Sequence, residues 1–121
     1  MIDFYTFLQV QVRHGNFTEC MNSLIYIDTF NENDTVVQMA RCSFDIHVQE
    51  ILGTLMTGTT LIMLHPRGTI DFGYLSTVLR KKQITYMHTV PSLLQSFFTF
   101  MKELNNRDIL KSLRSLCSSG E

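Results

Sequence analysis

The chain has 121 residues, of which 45% are hydrophobic and 17% are charged, and its net charge at pH 7 is −1. This balance excludes a disordered or fibrous chain, and the length suffices for one domain with a core but not for two. The near-neutral charge offers no electrostatic basis for binding nucleic acid or an anionic membrane, so we expect neither as a partner.

No apolar run is long enough to span a membrane, and the N-terminal residues lack the positive charge that begins a signal peptide. The three cysteines, Cys20, Cys42 and Cys117, lie far apart in the sequence. Their spacing matches no metal site, and an odd number argues against a disulfide framework. We therefore expect reduced thiols, a cytoplasmic location and no bound metal ion.

The N-terminal third predicts a strand, a helix and a second strand. Residues Leu8–His14 ("LQVQVRH") alternate apolar and polar side chains, which is the period of a half-buried strand. Asn16, followed three residues later by Glu19, has the pattern of a capping box and predicts a helix that begins at Asn16. Turn residues follow, and Thr35–Ala40 ("TVVQMA") predicts the next strand.

The middle third continues this alternation. A helix is expected over Asp45–Met56, ended by the turn around Gly58, and the continuous apolar run Thr60–His65 predicts a strand. Another helix is expected over Asp71–Lys82. Its inward positions are Phe72, Leu75, Val78 and Leu79.

The C-terminal third predicts a strand over Ile84–His88, a helix with Pro91 in its first turn, and a last strand over Leu113–Ser119. Strand and helix thus alternate about five times with short loops. This pattern predicts an α/β fold with right-handed βαβ units and a mainly parallel sheet covered on both faces. Because the sequence stops directly after a strand, we expect it to be part of a larger α/β domain.

Several polar residues follow the predicted strands. In open parallel sheets, ligands bind beyond the carboxyl ends of the strands. Phe44 and Asp45 follow one predicted strand, His88 ends the next but one, and Ser119 and Gly120 end the last. We therefore expect these residues to share one edge of the sheet and to form a pocket there.

The predicted Asp45 helix has distinct faces when residues are placed 100° apart around its axis. The expected core face consists of Val48, Ile51, Leu52 and Leu55, and the expected solvent face of His47, Glu50 and Thr54. Asp45 and Gln49 lie one turn apart on the flank, beside Ile46. Asp45 either caps the helix, a contribution of about 1 kcal/mol, or holds a ligand, and the two roles are compatible.

Four sequence elements resemble the adenylation domains of nonribosomal peptide synthetases, which belong to the adenylate-forming superfamily with acyl-CoA ligases and luciferases. The elements are "FDIHVQE", "GTTLIML", "ITYMHTVPSLL" and "CSSGE". Their order and spacing fit the family pattern, and the similarity extends from about Gln9 to Glu121. The resemblance implies that residues 9–121 are part of an AMP-binding (adenylation) domain, with residues 1–8 unassigned.

The resemblance also implies roles for individual residues. In amino-acid-activating members, the acid that matches Asp45 pairs with the α-ammonium group of the substrate through a charge-assisted hydrogen bond. The aromatic residue that matches Phe44 lies where the substrate and the thiol-bearing arm meet. Five residues match positions that line the side-chain pocket: Ile46, Gln49, His88, Cys117 and Ser119. The segment that matches Gly120 and Glu121 runs beside the adenine, where a glycine lets the backbone approach closely.

The implied parent enzyme activates an amino acid as acyl-AMP, using ATP and Mg²⁺, and passes it to the phosphopantetheine thiol of a carrier protein domain. Its partners are then a small amino or carboxylic acid, the rest of the adenylation domain and the carrier. The family's phosphate loop should precede "VQVRH", but "MIDFYTFLQ" contains no glycine, and the mobile-lobe lysine lies outside the similarity. We expect the 121 residues to keep part of the acyl pocket, to bind no cofactor tightly and to be inactive alone.

The sequence departs from the family at Gln49, where tryptophan is common, and at His47, where serine is common. A polar residue in the pocket wall suggests either a substrate with a polar end or a site that no longer selects. Asp45 favours an amino acid, but a fragment of an acyl-CoA ligase and a non-catalytic α/β remnant stay open as alternatives. A dehydrogenase would need G-x-G-x-x-G after the first strand, which "RHGNFTEC" does not supply.

Overall fold

The structure is a computed structural model that describes residues 11–120. Its strands are β1 (Thr35–Val37), β2 (Thr60–Ile62), β3 (Tyr86–Thr89) and β4 (Ser115–Ser118). They form one sheet in the order β2-β1-β3-β4, and every neighbouring pair is parallel. The helices are α1 (His14–Tyr26), α2 (Asp45–Thr57), α3 (Phe72–Lys81) and α4 (Pro91–Leu104), followed by a 3-10 helix at Asp108–Leu110.

This architecture confirms the predicted α/β fold with a parallel sheet flanked by helices. Successive residues of a strand face opposite sides of the sheet. Val36 and Tyr86 accordingly pack with Met21 of α1, whereas Val37 and Met87 belong to a second cluster with α3 and α4. The second cluster also contains Leu75, Leu79, Phe97 and Ile109. Both faces of the sheet are therefore covered by apolar side chains.

Local sequence signals account for several helix ends. Asp71 is the N-cap of α3, and its side chain accepts a hydrogen bond from the backbone N–H of Tyr74 at 3.0 Å. Pro91 opens α4, where its missing N–H has no cost. Gly58 ends α2 with a φ of 71°, a left-handed conformation that glycine adopts without strain.

The predicted strand Leu8–His14 is wrong where the structure describes it. Residues 11–13 belong to no strand, and α1 begins at His14, while residues 8–10 lie outside the described part. Asn16 is the third residue of α1 rather than its cap, and its Oδ1 accepts the N–H of Arg13 at 3.1 Å. The side chain of Asn16 thus reaches back to the N-cap residue Arg13, so the helix is capped three residues earlier than the pattern indicates.

The other predicted strands all exist, but they are only three or four residues long. The apolar run after Gly58 predicts a buried strand over Thr60–His65. It forms β2, which lies at an edge of the sheet, and Met63 just beyond it is 66% exposed. Periodicity cannot distinguish an edge strand from a central one, because that depends on strand order.

The orientation of α2 is the reverse of the prediction. Its buried residues are Glu50, Gly53 and Thr54, whereas Leu52 and Leu55 are 44% and 73% exposed. His47 is half-buried rather than solvent-facing, Ile51 is half-buried, and Val48 is exposed. The physical reason is close packing: a Cβ added to Gly53 would lie 2.8 Å from the Met21 Cε atom of α1. Gly53 lets α2 approach α1 closely, and the bulky Leu52 and Leu55 on the other side of the helix then face outward.

Candidate functional site

A cavity of about 790 Å³ opens at the carboxyl ends of β3 and β4. Its wall comes from the loop between β1 and α2, the first turns of α2 and α4, the loop before α3, and the residues after β4. Phe44, Asp45, His88, Ser119 and Gly120 all contribute to this wall. The five residues that the strand ends predict to share one edge of the sheet therefore lie around one space.

Asp45 is the first residue of α2, at the rim of the cavity. The N-cap position belongs to Phe44, so the prediction that Asp45 caps the helix is wrong in position. Asp45 still accepts one N–H of the first turn, that of Ile46, through Oδ1 at 2.9 Å. The side chain is exposed, and its second oxygen makes no hydrogen bond to any of residues 11–120. A carboxylate oxygen is thus available to a ligand with a positive charge or an N–H donor.

His88 and Ser119 form a polar pair in the same wall. Strands β3 and β4 pair in parallel so that His88 lies opposite Cys117, and Ser119 follows two residues later. His88 Nε2 and Ser119 Oγ are 2.7 Å apart. Burial lowers the pKa of His88, although the nearby charge of Asp45 opposes this shift. The ring is therefore neutral near pH 7, and one of its nitrogens carries hydrogen while the other accepts.

Phe44 and Gly120 complete the rim. The Phe44 side chain is 57% exposed at the cavity wall, an uncommon position for a large aromatic residue. Gly120 has a φ of 70°, a left-handed conformation that glycine adopts without strain. Glu121, which the resemblance places beside the adenine, lies outside the described residues.

Gln49 and Cys117 lie near Tyr86 and are not part of the cavity wall that residues 11–120 form. The Gln49 Nε2 donates to the Tyr86 hydroxyl at 2.9 Å. Cys117 packs against the apolar cluster that contains Tyr86. Burial raises the pKa of the Tyr86 hydroxyl, as does the neighbouring Cys117. The side-chain amide of Gln49 therefore already has a hydrogen-bond partner within the protein.

Sequence reasoning missed part of the wall. Thr69 and Ile70 come from the loop before α3, and Ser92, Leu93 and Ser96 come from the first turns of α4. Pro91 could have indicated the second group, because it predicts a helix beginning at the carboxyl end of β3. No comparable sequence pattern indicates that the loop before α3 reaches the cavity.

Neither a metal cluster nor a membrane span is found in the described part of the chain. Among residues 11–120, no group of three or more His, Cys, Asp or Glu side chains could hold a metal ion. Within the same range, every helix is too short or too polar to cross a membrane.

Comparison with known proteins gives consistent matches. The sequence profile of a family described as "AMP-binding enzyme" matches residues 9–121. Vanchrobactin synthetase VabF of Vibrio anguillarum is 31% identical over 93 residues, which is 75% of this chain and 3% of that protein. Tyrocidine synthase 3 of Brevibacillus parabrevis is 35% identical over 82 residues, or 66% of this chain and 1% of that protein. The chain thus spans a small fraction of the relatives it matches.

Solved structures share the fold. The nonribosomal peptide synthetase FmoA3 superposes with a TM-score of 0.81 at 21% identity, over 91% of this chain and 12% of that one. At this level of identity the likeness establishes the fold alone.

Proposed function

This chain belongs to the family of AMP-binding enzymes, and from this premise we propose that it supplies the acid-binding part of an adenylation domain. Residues 9–121 form that part, and residues 1–8 have no assigned role. The parent enzyme activates an amino acid as acyl-AMP and transfers it to the thiol of a carrier protein domain. The observation that supports this most directly is Asp45, whose carboxylate lies at the rim of the cavity with one oxygen unused by residues 11–120.

We propose that Asp45 binds the α-ammonium group of the amino acid. A carboxylate that accepts N–H donors from an ammonium makes a strong, charge-assisted hydrogen bond. Ile46, His88 and Ser119 line the same cavity and contact the substrate's side chain. Gln49 and Cys117 support this wall from behind through Tyr86. Phe44 lies at the exposed rim, where the phosphopantetheine arm of the carrier would meet the acid.

ATP provides the adenylate group and loses pyrophosphate, with Mg²⁺ balancing the phosphate charge. Gly120 lines the cavity and has no side chain, which allows the close approach of an adenine ring. The described residues contain no cluster that could hold Mg²⁺, so we propose that the metal ligands and the phosphate-binding loop belong to the rest of the parent. The 121 residues alone then hold neither ATP nor Mg²⁺ tightly, and the parent acts in the cytoplasm.

The test is ATP–pyrophosphate exchange by the parent enzyme with a panel of amino acids. Asp45→Ala and Asp45→Asn are expected to lower kcat/KM for the preferred amino acid by roughly 10- to 100-fold, the value of one charge-assisted hydrogen bond. Asp108→Asn removes the same charge from an exposed residue of the 3-10 helix and should leave exchange unchanged. Equal exchange by the Asp45 variants and the wild type would contradict the assignment of the ammonium site.

The same assay distinguishes the alternatives. Exchange with carboxylic acids that lack an amino group, unaffected by Asp45→Asn, would indicate an enzyme of the acyl-CoA ligase type. Exchange with no acid at all would indicate a non-catalytic α/β remnant. The 121-residue chain assayed alone is expected to show no exchange.

A further inference from the structure

His88 and Ser119 have more hydrogen-bonding capacity than the described residues use. His88 is only 9% exposed, and its Nδ1 atom is buried without a hydrogen-bond partner among residues 11–120. Ser119 is exposed in the cavity wall, and among residues 11–120 its hydroxyl makes one hydrogen bond, to His88 Nε2 at 2.7 Å. Buried polar atoms in folded proteins nearly always have a partner, so this exception requires an explanation.

Whichever of His88 and Ser119 donates the hydrogen bond between them, donor and acceptor atoms of the pair stay without a partner among residues 11–120. If Nε2–H donates to the Ser119 oxygen, Nδ1 is an acceptor without a donor and the serine hydroxyl hydrogen is free. If the serine hydroxyl donates to Nε2, Nδ1–H is a donor without an acceptor and both oxygen lone pairs are free. Because Nδ1 is buried, the capacity that faces the cavity is that of the exposed Ser119 hydroxyl. This hydroxyl can accept a hydrogen bond from a ligand in either arrangement and can also donate one in the first.

We propose that the amino acid held by this site carries a neutral, hydrogen-bonding side chain, a hydroxyl or a carboxamide, that bonds to the His88–Ser119 pair. This inference rests on the proposed function, because Asp45 holds the ammonium end of the same molecule. Asp45, His88 and Ser119 line the same cavity of about 790 Å³, so one small molecule can contact all three.

The rest of the wall favours a neutral side chain over a charged one. Among residues 11–120, the fixed charges that line the cavity are those of Arg41 and Asp45, which have opposite signs. Asp45 is occupied by the ammonium group. An acidic side chain at the His88–Ser119 pair would meet neutral groups there and the negative charge of Asp45 nearby, and Arg41, the positive charge of the wall, is not part of that pair. A basic side chain would compete with the ammonium for Asp45 and would find only neutral groups at His88 and Ser119.

A purely apolar side chain fits less well than a polar one. Ile46, Ile70 and Leu93 provide apolar surface for methylene groups. Such a ligand would, however, cover the His88–Ser119 pair without offering it any hydrogen bond, and sites of this kind discriminate strongly against the analogue that lacks the polar group. Gln49 does not supply the polar contact, because its amide donates to Tyr86.

The test compares isosteric amino acids in the ATP–pyrophosphate exchange of the parent enzyme. The pairs are serine with 2-aminobutyrate, threonine with valine, and asparagine with leucine. We expect the preferred pair to favour its polar member by at least about tenfold in kcat/KM. Ser119→Ala and His88→Phe should lower the rate with the polar member about tenfold and leave the apolar member within about twofold, so that the preference disappears. Ser118→Ala, on the neighbouring residue outside the cavity wall, should retain the preference.

The outcomes separate this inference from the proposed function. Exchange that is equal for polar and apolar members, or stronger for the apolar ones, overturns the inference and leaves amino-acid activation in place. A parallel loss for both members in Ser119→Ala also overturns it, because a structural role would lower both rates. Absence of exchange with every amino acid overturns the proposed function, and the inference with it.

Discussion

Arg114 donates from Nη2 to a carboxylate oxygen of Asp34 at 2.6 Å, although the two residues are 80 positions apart in the chain. Asp34 directly precedes β1 and Arg114 directly precedes β4. Thr85, just before β3, donates its hydroxyl to the other oxygen of Asp34 at 2.7 Å. Burial alone would raise the pKa of Asp34, but the hydrogen bonds from Arg114, Thr85 and Asn31 outweigh it and lower that pKa. One buried carboxylate thus joins the starts of three strands, at the opposite edge of the sheet from the cavity.

Replacing Arg114 with alanine should therefore destabilise the fold. The change leaves the Asp34 side chain, which is fully buried, without its counter-charge. We expect a loss of roughly 2 kcal/mol in the free energy of unfolding, below the usual cost for a buried pair because Arg114 is partly exposed to solvent. The midpoint of urea unfolding measures it. Arg107→Ala removes an exposed arginine that forms no ion pair within residues 11–120 and should change stability by less than about 0.5 kcal/mol. Equal midpoints for both variants would contradict this role of the pair.

Glu50 is a buried carboxylate that supports the cavity wall from behind. It is 1% exposed, and its Oε1 accepts the N–H of Met39 at 2.9 Å, while both oxygens accept from Ala40 at 3.1 and 3.2 Å. Met39 and Ala40 line the cavity. Burial raises the pKa of Glu50 from 4.5 to about 7, and the two backbone N–H groups offset part of that rise. The carboxyl group is thus about half protonated at neutral pH.

This raised pKa predicts a pH dependence of stability. In the unfolded chain Glu50 loses its proton near pH 4.5, whereas in the folded protein it does so near 7. The folded state holds more protons between these values, so stability falls as the pH rises through this window, by up to roughly 3 kcal/mol. Glu50→Gln keeps an oxygen that can accept the two N–H groups and removes this fall.

Unfolding measured at pH 5, 6, 7 and 8 should show the free energy of unfolding of the variant rising relative to that of the wild type as the pH rises. Glu103→Gln, on the exposed side of α4, should follow the wild type, and a Glu50→Gln curve parallel to it would refute the explanation.

The alternation of elements and the position of the cavity could be predicted from the sequence. Asp45 follows one predicted strand, and His88 and Ser119 end two others. Parallel strands bring their carboxyl ends to one edge whatever their exact lengths. The resemblance to adenylation domains is likewise confirmed by the family match over residues 9–121. These predictions depend on the order of elements, which hydrophobic periodicity reports well.

The orientation of α2 could not be predicted in this way. Hydrophobic periodicity alone predicts that the bulky apolar stripe of a helix faces the nearest sheet. Here Gly53 faces α1 because it leaves room for Met21, and Glu50 is inside because two backbone N–H groups in the preceding loop need an acceptor. Both reasons depend on tertiary partners. No property of the helix sequence alone reports them.

Substitution on α2 can measure this reversal. Leu55 is 73% exposed, so Leu55→Ala should change the free energy of unfolding by less than about 0.5 kcal/mol. Leu79 of α3 is 2% exposed within the core cluster, and Leu79→Ala should cost about 2–5 kcal/mol. The two variants make the same chemical change, and their difference in thermal midpoint reports burial alone. A cost at Leu55 close to that at Leu79 would show that the predicted core face was right.

Gly68 controls the path of the loop that contributes Thr69 and Ile70 to the cavity wall. It is buried, and its N–H donates to the carbonyl oxygen of His65 at 2.8 Å. A Cβ added at this position would lie 2.9 Å from that same oxygen and 2.8 Å from the Tyr74 ring. The carbonyl belongs to the backbone and cannot rotate away, so any side chain at residue 68 must displace the loop.

Gly68→Ala should therefore weaken both the fold and the binding of the acid. Overpacking of this kind costs about 1–3 kcal/mol of stability, and in the parent enzyme the displaced wall should raise KM for the preferred amino acid.

Gly73→Ala is the matched control, because its Cβ would meet only the Asp71 Oδ1 at 3.6 Å, an ordinary contact. Alanine is also favoured over glycine within α3 by up to about 1 kcal/mol, so this control should equal or exceed the wild type in stability. Because the two variants add the same methyl group five residues apart, a loss in Gly68→Ala alone assigns the effect to the loop. Unchanged KM and stability in Gly68→Ala would show that the loop can move without affecting the site.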